Sequence, residues 1–302
     1  MKINDKYTKI LIDETLRETV SHGSEEYHFK YYYEDIWLFD FHCVDWHWHS
    51  EVEFVFLEKG KARFLVGSES YNLNEGMGIF INTHVIHRFE AEECAVIPNI
   101  VFSPTLLSPQ GSLIYQKYIL PVLDSSADCI VFSPDVLWQQ STLDLLMSVF
   151  EIQESENISE IKTVEILLNM WNIIYENVNI KERTAVSYAS AHTQAQLQIM
   201  MQYIHKNYFQ NISLNDIAMT VSLSKSSTLN IFNRYLKISP ISYLVNYRLK
   251  RAAIMLTSTE NSVYSIAHDT GFENVGYFCR KFKGLYEMTP GEYRKKSKEF
   301  SR

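Results

Sequence analysis

From Tyr27 to about Phe102, apolar and polar residues alternate with a period of two. Trp37, Phe39 and Phe41 are interleaved with Leu38, Asp40 and His42, and Phe54 and Phe56 with Val55 and Leu57. Successive side chains on a strand point to opposite faces, so this pattern predicts strands. Turn signals punctuate it at Glu58-Lys59-Gly60, Gly67-Ser68, Asn74-Glu75-Gly76 and Asn82-Thr83. Short strands with regular turns predict a β-sandwich or barrel. At Pro134 the period lengthens. Leu137, Leu143, Leu146, Met147 and Phe150 form one helical stripe, and Ile161, Val164, Leu167, Leu168, Trp171 and Ile174 form another. These predict two amphipathic helices. Residues 179–194 are polar and small, as expected of a linker, and a helix is expected over 196–208.

The last third of the chain says the same thing twice. Ile217-Ala218 is followed by Phe232, Ser239-Pro240 and Tyr243; Ile266-Ala267 is followed by Phe282, Thr289-Pro290 and Tyr293. The first pair is offset by 49 residues and the rest by 50, so the second copy has one extra residue in its turn. Each copy predicts a short helix, a tight turn and a longer helix, that is, a helix-turn-helix. Ser213 is placed to cap a helix over 214–221, with the turn at 222–224 and the second helix over 225–236. At ~100° per residue, Phe232 and Leu236 face the core while Ser227, Asn230 and Arg234 face out. In the second copy Gly271 suits the turn, because glycine adopts a positive φ cheaply. Asn274 caps a helix over 275–285 with Phe278 and Phe282 inward. Gly276, Arg280 and Lys283 then face out. Pro240 opens a connecting helix to about Leu256, with Tyr243, Leu244, Tyr247 and Ala252 inward. Two readers on one face of DNA need roughly one helical turn, ~34 Å, between them.

Charge supports this picture. Residues 195–302 carry 15 Lys and Arg against 7 Asp and Glu, a net of +8; the first 194 carry 13 against 29, a net of −16. A basic module on an acidic body is the footprint of a nucleic-acid reader. The basic tail Arg294, Lys295, Lys296 and Lys298 is more often solvated than bound to phosphate. Apolar residues make up 46% of the 302, enough for packed cores. Cys43, Cys94, Cys129 and Cys279 are scattered without a CxxC pair. That is expected of a reduced, cytoplasmic protein with no zinc finger or disulfide frame. There is no signal-like N-terminus and no run of 18 apolar residues, so neither secretion nor membrane spanning is expected.

The run from Asp269 to Lys283 (DTGFENVGYFCRKFK) and the run from Met288 to Arg294 (MTPGEYR) resemble the C-terminal signature of AraC-type transcriptional regulators. Ser239-Pro240 through Tyr243, and Arg248 to Ala252, are similar to that family's first motif and linker helix. The resemblance covers roughly the last 100 residues and agrees at many positions in two linked motifs. The family usually has Gly where Lys237 and Glu287 stand, so these helix ends are expected to use another geometry. It usually has an inward Leu at Thr228, and here Leu229 follows. Two rotations of the first recognition helix are therefore open; Ser227, Asn230 and Arg234 face out in both. By family alignment Ser226 and Leu229 also face DNA. The resemblance implies a DNA-contact set of Lys225, Ser226, Ser227, Asn230, Arg234, Asn274, Val275, Gly276, Cys279, Arg280 and Lys283. Arg280 is the best candidate for reading a base edge, and Asn230 pairs well with adenine.

Trp46-His47-Trp48-His49 is followed by Glu53 and Gly60. On a strand His47 and His49 share one face. HxH, then Glu, then Gly resembles the first cupin motif, and Gly76 and His87 fall where the second has Gly and His. Its Pro and second Gly are replaced by Asn82 and His84. Many AraC-type regulators have a cupin-like effector domain, so the two resemblances support each other. His47, His49, Glu53 and His87 could form a three-histidine, one-carboxylate site suited to Fe, Mn, Ni or Zn. Alternatively they line a sugar or acid pocket by hydrogen bonding, which the resemblance to cupin-type regulators implies more often. Glu53 shares their face if the strand continues unbroken, and His87 must come from a neighbouring strand. Trp37, Arg63 and Arg88 complete the expected effector pocket, the arginines for an acidic group.

The expected architecture is α+β and multidomain. A cupin-like β-barrel over 1–130 senses a ligand, and a helical dimerisation segment spans 131–182. A linker over 183–194 leads to an all-α tandem helix-turn-helix module over 195–302. The expected function is a ligand-responsive, sequence-specific DNA-binding transcriptional regulator. Its partners would be an operator duplex, a small effector such as a sugar, a second copy of the chain in a homodimer, and RNA polymerase. No cofactor is required, and a divalent metal in the barrel is the one candidate. The alternative is a metal-dependent cupin enzyme, an isomerase or dioxygenase, with a DNA-binding tail. A third reading is a constitutive DNA-binding protein with a vestigial barrel.

Overall fold

The computed structural model describes residues 10–13, 15–178 and 185–300. The chain divides into two compact units, 1–194 and 195–302.

The first unit is built on two antiparallel sheets. One has the order β1 (Phe29–Asp35), β8 (Val96–Phe102), β3 (Val52–Phe56), β6 (Gly78–Ile81), β9 (Cys129–Phe132). The other has the order β2 (Cys43–His47), β7 (His87–Glu90), β4 (Lys61–Val66), β5 (Glu69–Asn74). After β8 a tight turn leads to the short helix α1 (Leu120–Leu123). Two longer helices follow β9, α2 (Leu137–Glu154) and α3 (Glu160–Asn177), the second capped by Ser159.

These elements explain the burial pattern. Val52 and Phe54 of β3, with Phe80, Ile100, Phe102 and Phe132, pack under Leu143, Leu146, Phe150, Leu167, Trp171 and Ile174 of α2 and α3. Val55, Ile79, Ile81 and Ile97 face the second sheet and meet Phe64, Val66 and Phe89. Strands β3 and β8 are covered on both faces, so the simple alternation gives way to buried runs. Each fully buried Phe or Leu side chain contributes ~1.5–3 kcal/mol.

Three expectations are corrected here. The alternation at Trp37, Phe39 and Phe41 is not a strand. Residues 36–42 form two tight turns, because Asp35 accepts the N–H groups of Trp37 and Ala95 and bends the chain out of its sheet. The first sheet does not end at residue 130, since β9 pairs with β6 through Phe132. Ala185, assigned to the linker, opens helix α4 (Ala185–Asn207); residues 179–184 lie outside the described residues.

The second unit is helical. After α4 come α5 (Leu214–Met219), α6 (Lys225–Leu236), α7 (Pro240–Ser258), α8 (Val263–Asp269), α9 (Val275–Tyr286) and α10 (Pro290–Phe300). Ser213, Ser224, Ser239, Ser262 and Asn274 each accept a backbone N–H at a helix start, and Ser213 with Asp216 forms a full capping box. Ile217, Ala218, Ile266 and Ala267 are buried, as the repeat requires. Ser222 and Gly271 hold the two turns at positive φ. A Cβ on Gly271 would fall 2.5 Å from the Tyr208 carbonyl oxygen, so the glycine is also required for close packing. Lys237 and Glu287 end α6 and α9 in the left-handed conformation, at φ 56° and 59°. The expected different geometry is therefore corrected: these residues adopt the backbone that glycine would favour.

Candidate functional site

The four residues of the histidine motif converge. Each offers a ligand atom, and these atoms lie within 4.8 Å of one another, all four side chains being buried. His47 ends β2 and is directly paired with His87 on β7. Glu53 belongs to β3 in the other sheet, opposite Val101 and Ile81. The strand does not run unbroken from His49 to Glu53. The chain turns at Ser50 and Glu51 and crosses between sheets, which brings the carboxylate in from the opposite wall.

The backbone fixes how the imidazoles present themselves. Nδ1 of His47 lies 2.8 Å from the Asp45 carbonyl, that of His49 3.1 Å from Glu51, and that of His87 2.8 Å from Val85. A carbonyl oxygen only accepts, so each Nδ1 carries the proton and, in a neutral ring, each Nε2 is a bare lone pair. Glu53 Oε2 sits 3.5 Å from His49 Nε2 and 3.2 Å from His87 Nε2, yet none of these three atoms has a hydrogen-bond partner. Converging lone pairs in a buried site repel unless a cation or protons lie between them. Three nitrogens and one carboxylate oxygen suit a divalent transition metal, so the residues present fit such an ion.

The site's electrostatics are strongly coupled. Burial opposes ionisation of Glu53, but His49 and His87 hold its carboxyl well below the usual range. Burial likewise opposes charge on His49, but Glu53 holds its imidazole above the ordinary value. Burial and neighbouring His87 push His47 down to about 3.

A cleft opens beside the cluster. It encloses about 540 Å³ including its mouth. His47, His49 and Glu53 form one part of its lining, and Glu18, His22, Tyr32, Glu34 and Asn99 another, with Val44, Phe89 and Val101 among the apolar walls. Tyr32 and Glu34 share a face of β1, and Asn99 stands opposite Tyr32 on β8. His22 is hydrogen-bonded to Tyr32, its Nδ1 2.9 Å from the phenol, while its Nε2 lies 3.2 Å from the Glu18 carboxylate without a hydrogen bond. Burial opposes ionisation of Glu18, but His22 holds it below its ordinary value. Asn99 donates to Glu34 at 3.3 Å, and burial pushes the Glu34 carboxyl up to about 8.

Sequence reasoning missed Glu18, His22, Tyr32, Glu34 and Asn99. The i, i+2 pair Tyr32 and Glu34 was a usable signal, since both fall on one strand face. Glu18 and His22 lie where no alternation marks them. Three expected pocket residues stand elsewhere. Trp37 is 37% exposed and stacks flat on His42, with ring centres 3.5 Å apart. Arg63 pairs with Glu90, and Arg88 with Asp45 at 2.5 Å and Glu90 at 2.7 Å. Neither arginine borders the cleft, and among the described residues no Lys or Arg lines it.

In the second unit, each longer helix of the two repeats has one buried side and one exposed side. Thr228, Ile231, Phe232, Tyr235 and Leu236 are buried in α6. Lys225, Ser226, Asn230 and Arg234 are exposed, and Leu229 is half-buried. This settles the rotation: Thr228 is the inward residue. Ser227 is half-buried, with its hydroxyl 2.9 Å from that of the capping Ser224. In α9 Phe278 and Phe282 are buried while Gly276, Arg280 and Lys283 are exposed. Val275 and Cys279 pack partly against the core, and Asn274 caps Tyr277 N–H at 2.8 Å. Arg280 also borders a groove between α7 and α9 that encloses about 1130 Å³ including its mouth. Arg294 is structural rather than part of a solvated tail, donating to the Leu256 and Asn261 carbonyls.

Comparison with known proteins gives two family matches. An AraC-like ligand binding domain matches residues 37–169, and a helix-turn-helix domain matches 217–296. The chain belongs to the AraC-type transcriptional regulators. An AraC-type chain of this kind is a ligand-responsive, DNA-binding transcriptional regulator. It is 29% identical to an uncharacterized HTH-type transcriptional regulator of Bacillus subtilis, over 94% of this chain and 98% of that one. It is 26% identical to the melibiose operon regulatory protein of Escherichia coli, over 84% of each. It is 22% identical to the lactose operon transcription activator of Staphylococcus xylosus, over 57% of this chain and 63% of that one. Within this AraC-type chain, no helix among the described residues is long and apolar enough to cross a membrane.

Proposed function

We propose that the regulator is switched by a small, hydroxyl-rich metabolite of the sugar class, bound in the cleft beside His47, His49 and Glu53. The observation that carries this reading is the convergence of four polar side chains from two sheets on one buried point. Burying imidazoles and a carboxylate is costly unless a ligand satisfies them. The lining offers carboxylates, an amide, a phenol and imidazoles, which suit hydroxyl groups. Among the described residues it offers no Lys or Arg to a free carboxylate or phosphate, so we place a neutral effector ahead of an acidic one. The names of the melibiose and lactose regulators point to the same ligand class.

The protein acts in the cytoplasm as a regulator rather than an enzyme, on a duplex operator and alongside RNA polymerase. Arg280 reads a base edge; Asn230 and Arg234 serve the first half-site. A homodimer doubles the tandem reader and so its affinity. Of the stripes expected to dimerise, Leu143/Met147/Phe150 and Leu167/Trp171/Ile174, all but the half-buried Met147 pack against the sheet. Leu137, Ile161 and Leu168 are exposed large apolar side chains on α2 and α3, and they supply the dimer face.

The test is a thermal-shift panel of neutral sugars, sugar acids and sugar phosphates on the full chain. A neutral sugar should raise the midpoint of the wild type and leave that of His49→Ala unmoved. A shift by sugar phosphates alone, or an equal shift in His49→Ala, would contradict the assignment.

A further inference from the structure

We propose that His47, His49, Glu53 and His87 bind one divalent transition-metal ion, and that Glu18 and His22 hold the small molecule completing its coordination. The second half rests on the cleft being the effector site; the first does not.

Three observations carry the metal. Each imidazole is oriented by an Nδ1–H bond to a backbone carbonyl, the arrangement that fixes a metal-binding tautomer. Nε2 of His49, Nε2 of His87 and Oε2 of Glu53 are buried without partners and face one another. The donors come from two sheets, with His47 and His87 in register on one and Glu53 on the other, so the fold itself holds the set together. Three nitrogens and one oxygen favour Fe, Mn, Ni, Co or Zn over Ca or Mg.

A small molecule in the cleft would complete the coordination of an ion held there. His47, His49 and Glu53 border the cleft, whereas His87 is fully buried behind them. The cleft, about 540 Å³ with its mouth, is also open enough to admit waters. A neutral molecule replacing them would give the metal a hydroxyl or carbonyl oxygen and donate a hydroxyl proton to Glu18. His22, held by Tyr32 through Nδ1, sets its Nε2 beside that carboxylate at 3.2 Å.

The experiment uses the full chain, stripped with a chelator and titrated with Co(II) while its visible absorption is followed. One Co(II) per chain is expected, with affinity falling at least ~100-fold in His87→Ala and in the isosteric Glu53→Gln, each checked for folding by circular dichroism. Azide then probes the open positions. Removing the negative charge in Glu18→Gln should leave the Co(II) stoichiometry at one and tighten azide binding about tenfold. No uptake by the folded wild type, or uptake indifferent to both ligand variants, overturns the metal site. Unchanged azide affinity in Glu18→Gln overturns the assignment of Glu18. A sugar-induced thermal shift in a chain that takes up no cobalt would reject the metal and leave the effector cleft standing.

Discussion

Arg280 is the side chain proposed above to read a base edge from the second helix-turn-helix. It is exposed in the middle of α9, opposite the buried Phe278 and Phe282. A bidentate arginine contact to a base discriminates by ~1–3 kcal/mol. Arg280→Ala should therefore lose that much affinity and relax preference at one base pair in selection from a random library, whereas Lys283→Ala should weaken all sequences alike. An unchanged consensus for Arg280→Ala would show that it is not a base reader. In the first unit, burial pushes the Glu34 carboxyl up to about 8 from an ordinary 4.5. The folded state keeps a proton that the unfolded chain releases, so stability is full below about pH 4.5 and falls as pH rises through about 8. Glu34→Gln should flatten this dependence and gain on the order of 1–2 kcal/mol at about pH 9, the cleft's water limiting the effect. Identical urea midpoints for the two proteins between about pH 5 and about pH 9 would contradict it. The histidine set was legible because HxH spacing survives folding locally. Glu18 and His22 were not, since their meeting with His49 depends on how the segment before β1 packs.

At the scale of elements, the repeat fixed both helix-turn-helix motifs almost to the residue, because caps and buried pairs recur with it. The error lay at the helix ends. Lys237 and Glu287 take up positive φ that glycine adopts more cheaply. Lys237→Gly should raise stability by ~0.5–1 kcal/mol, seen as a higher thermal midpoint. Thr228 is fully buried and its hydroxyl has no partner. Thr228→Val should then be stabilising by ~1 kcal/mol, and a loss of stability would mean the hydroxyl is satisfied. The alternation at Trp37 to Phe41 misled because period two records facing, not pairing. Asp35 captures two backbone N–H groups there and turns the chain away from its neighbours. The strand break between His49 and Glu53 was similarly invisible: spacing suggested one face, and the structure uses two sheets.

For the whole molecule, the charge contrast of −16 against +8 matches a division of labour between a sensing unit and a DNA-binding unit. Residues 195–302 form a compact unit with its own core, so this fragment should bind duplex DNA with a log–log salt slope of ~0.9 per phosphate neutralised. A flat salt dependence would argue against phosphate contacts. The most direct measurement is operator binding by fluorescence anisotropy, with and without the sugar found in the thermal panel, for the wild type and for His49→Ala/Glu53→Ala. The double variant should bind the operator with the wild-type affinity and salt slope, and the sugar should shift only the wild type. If the folded double variant still responds to the sugar, or loses operator binding outright, then the cleft does not govern the response as described.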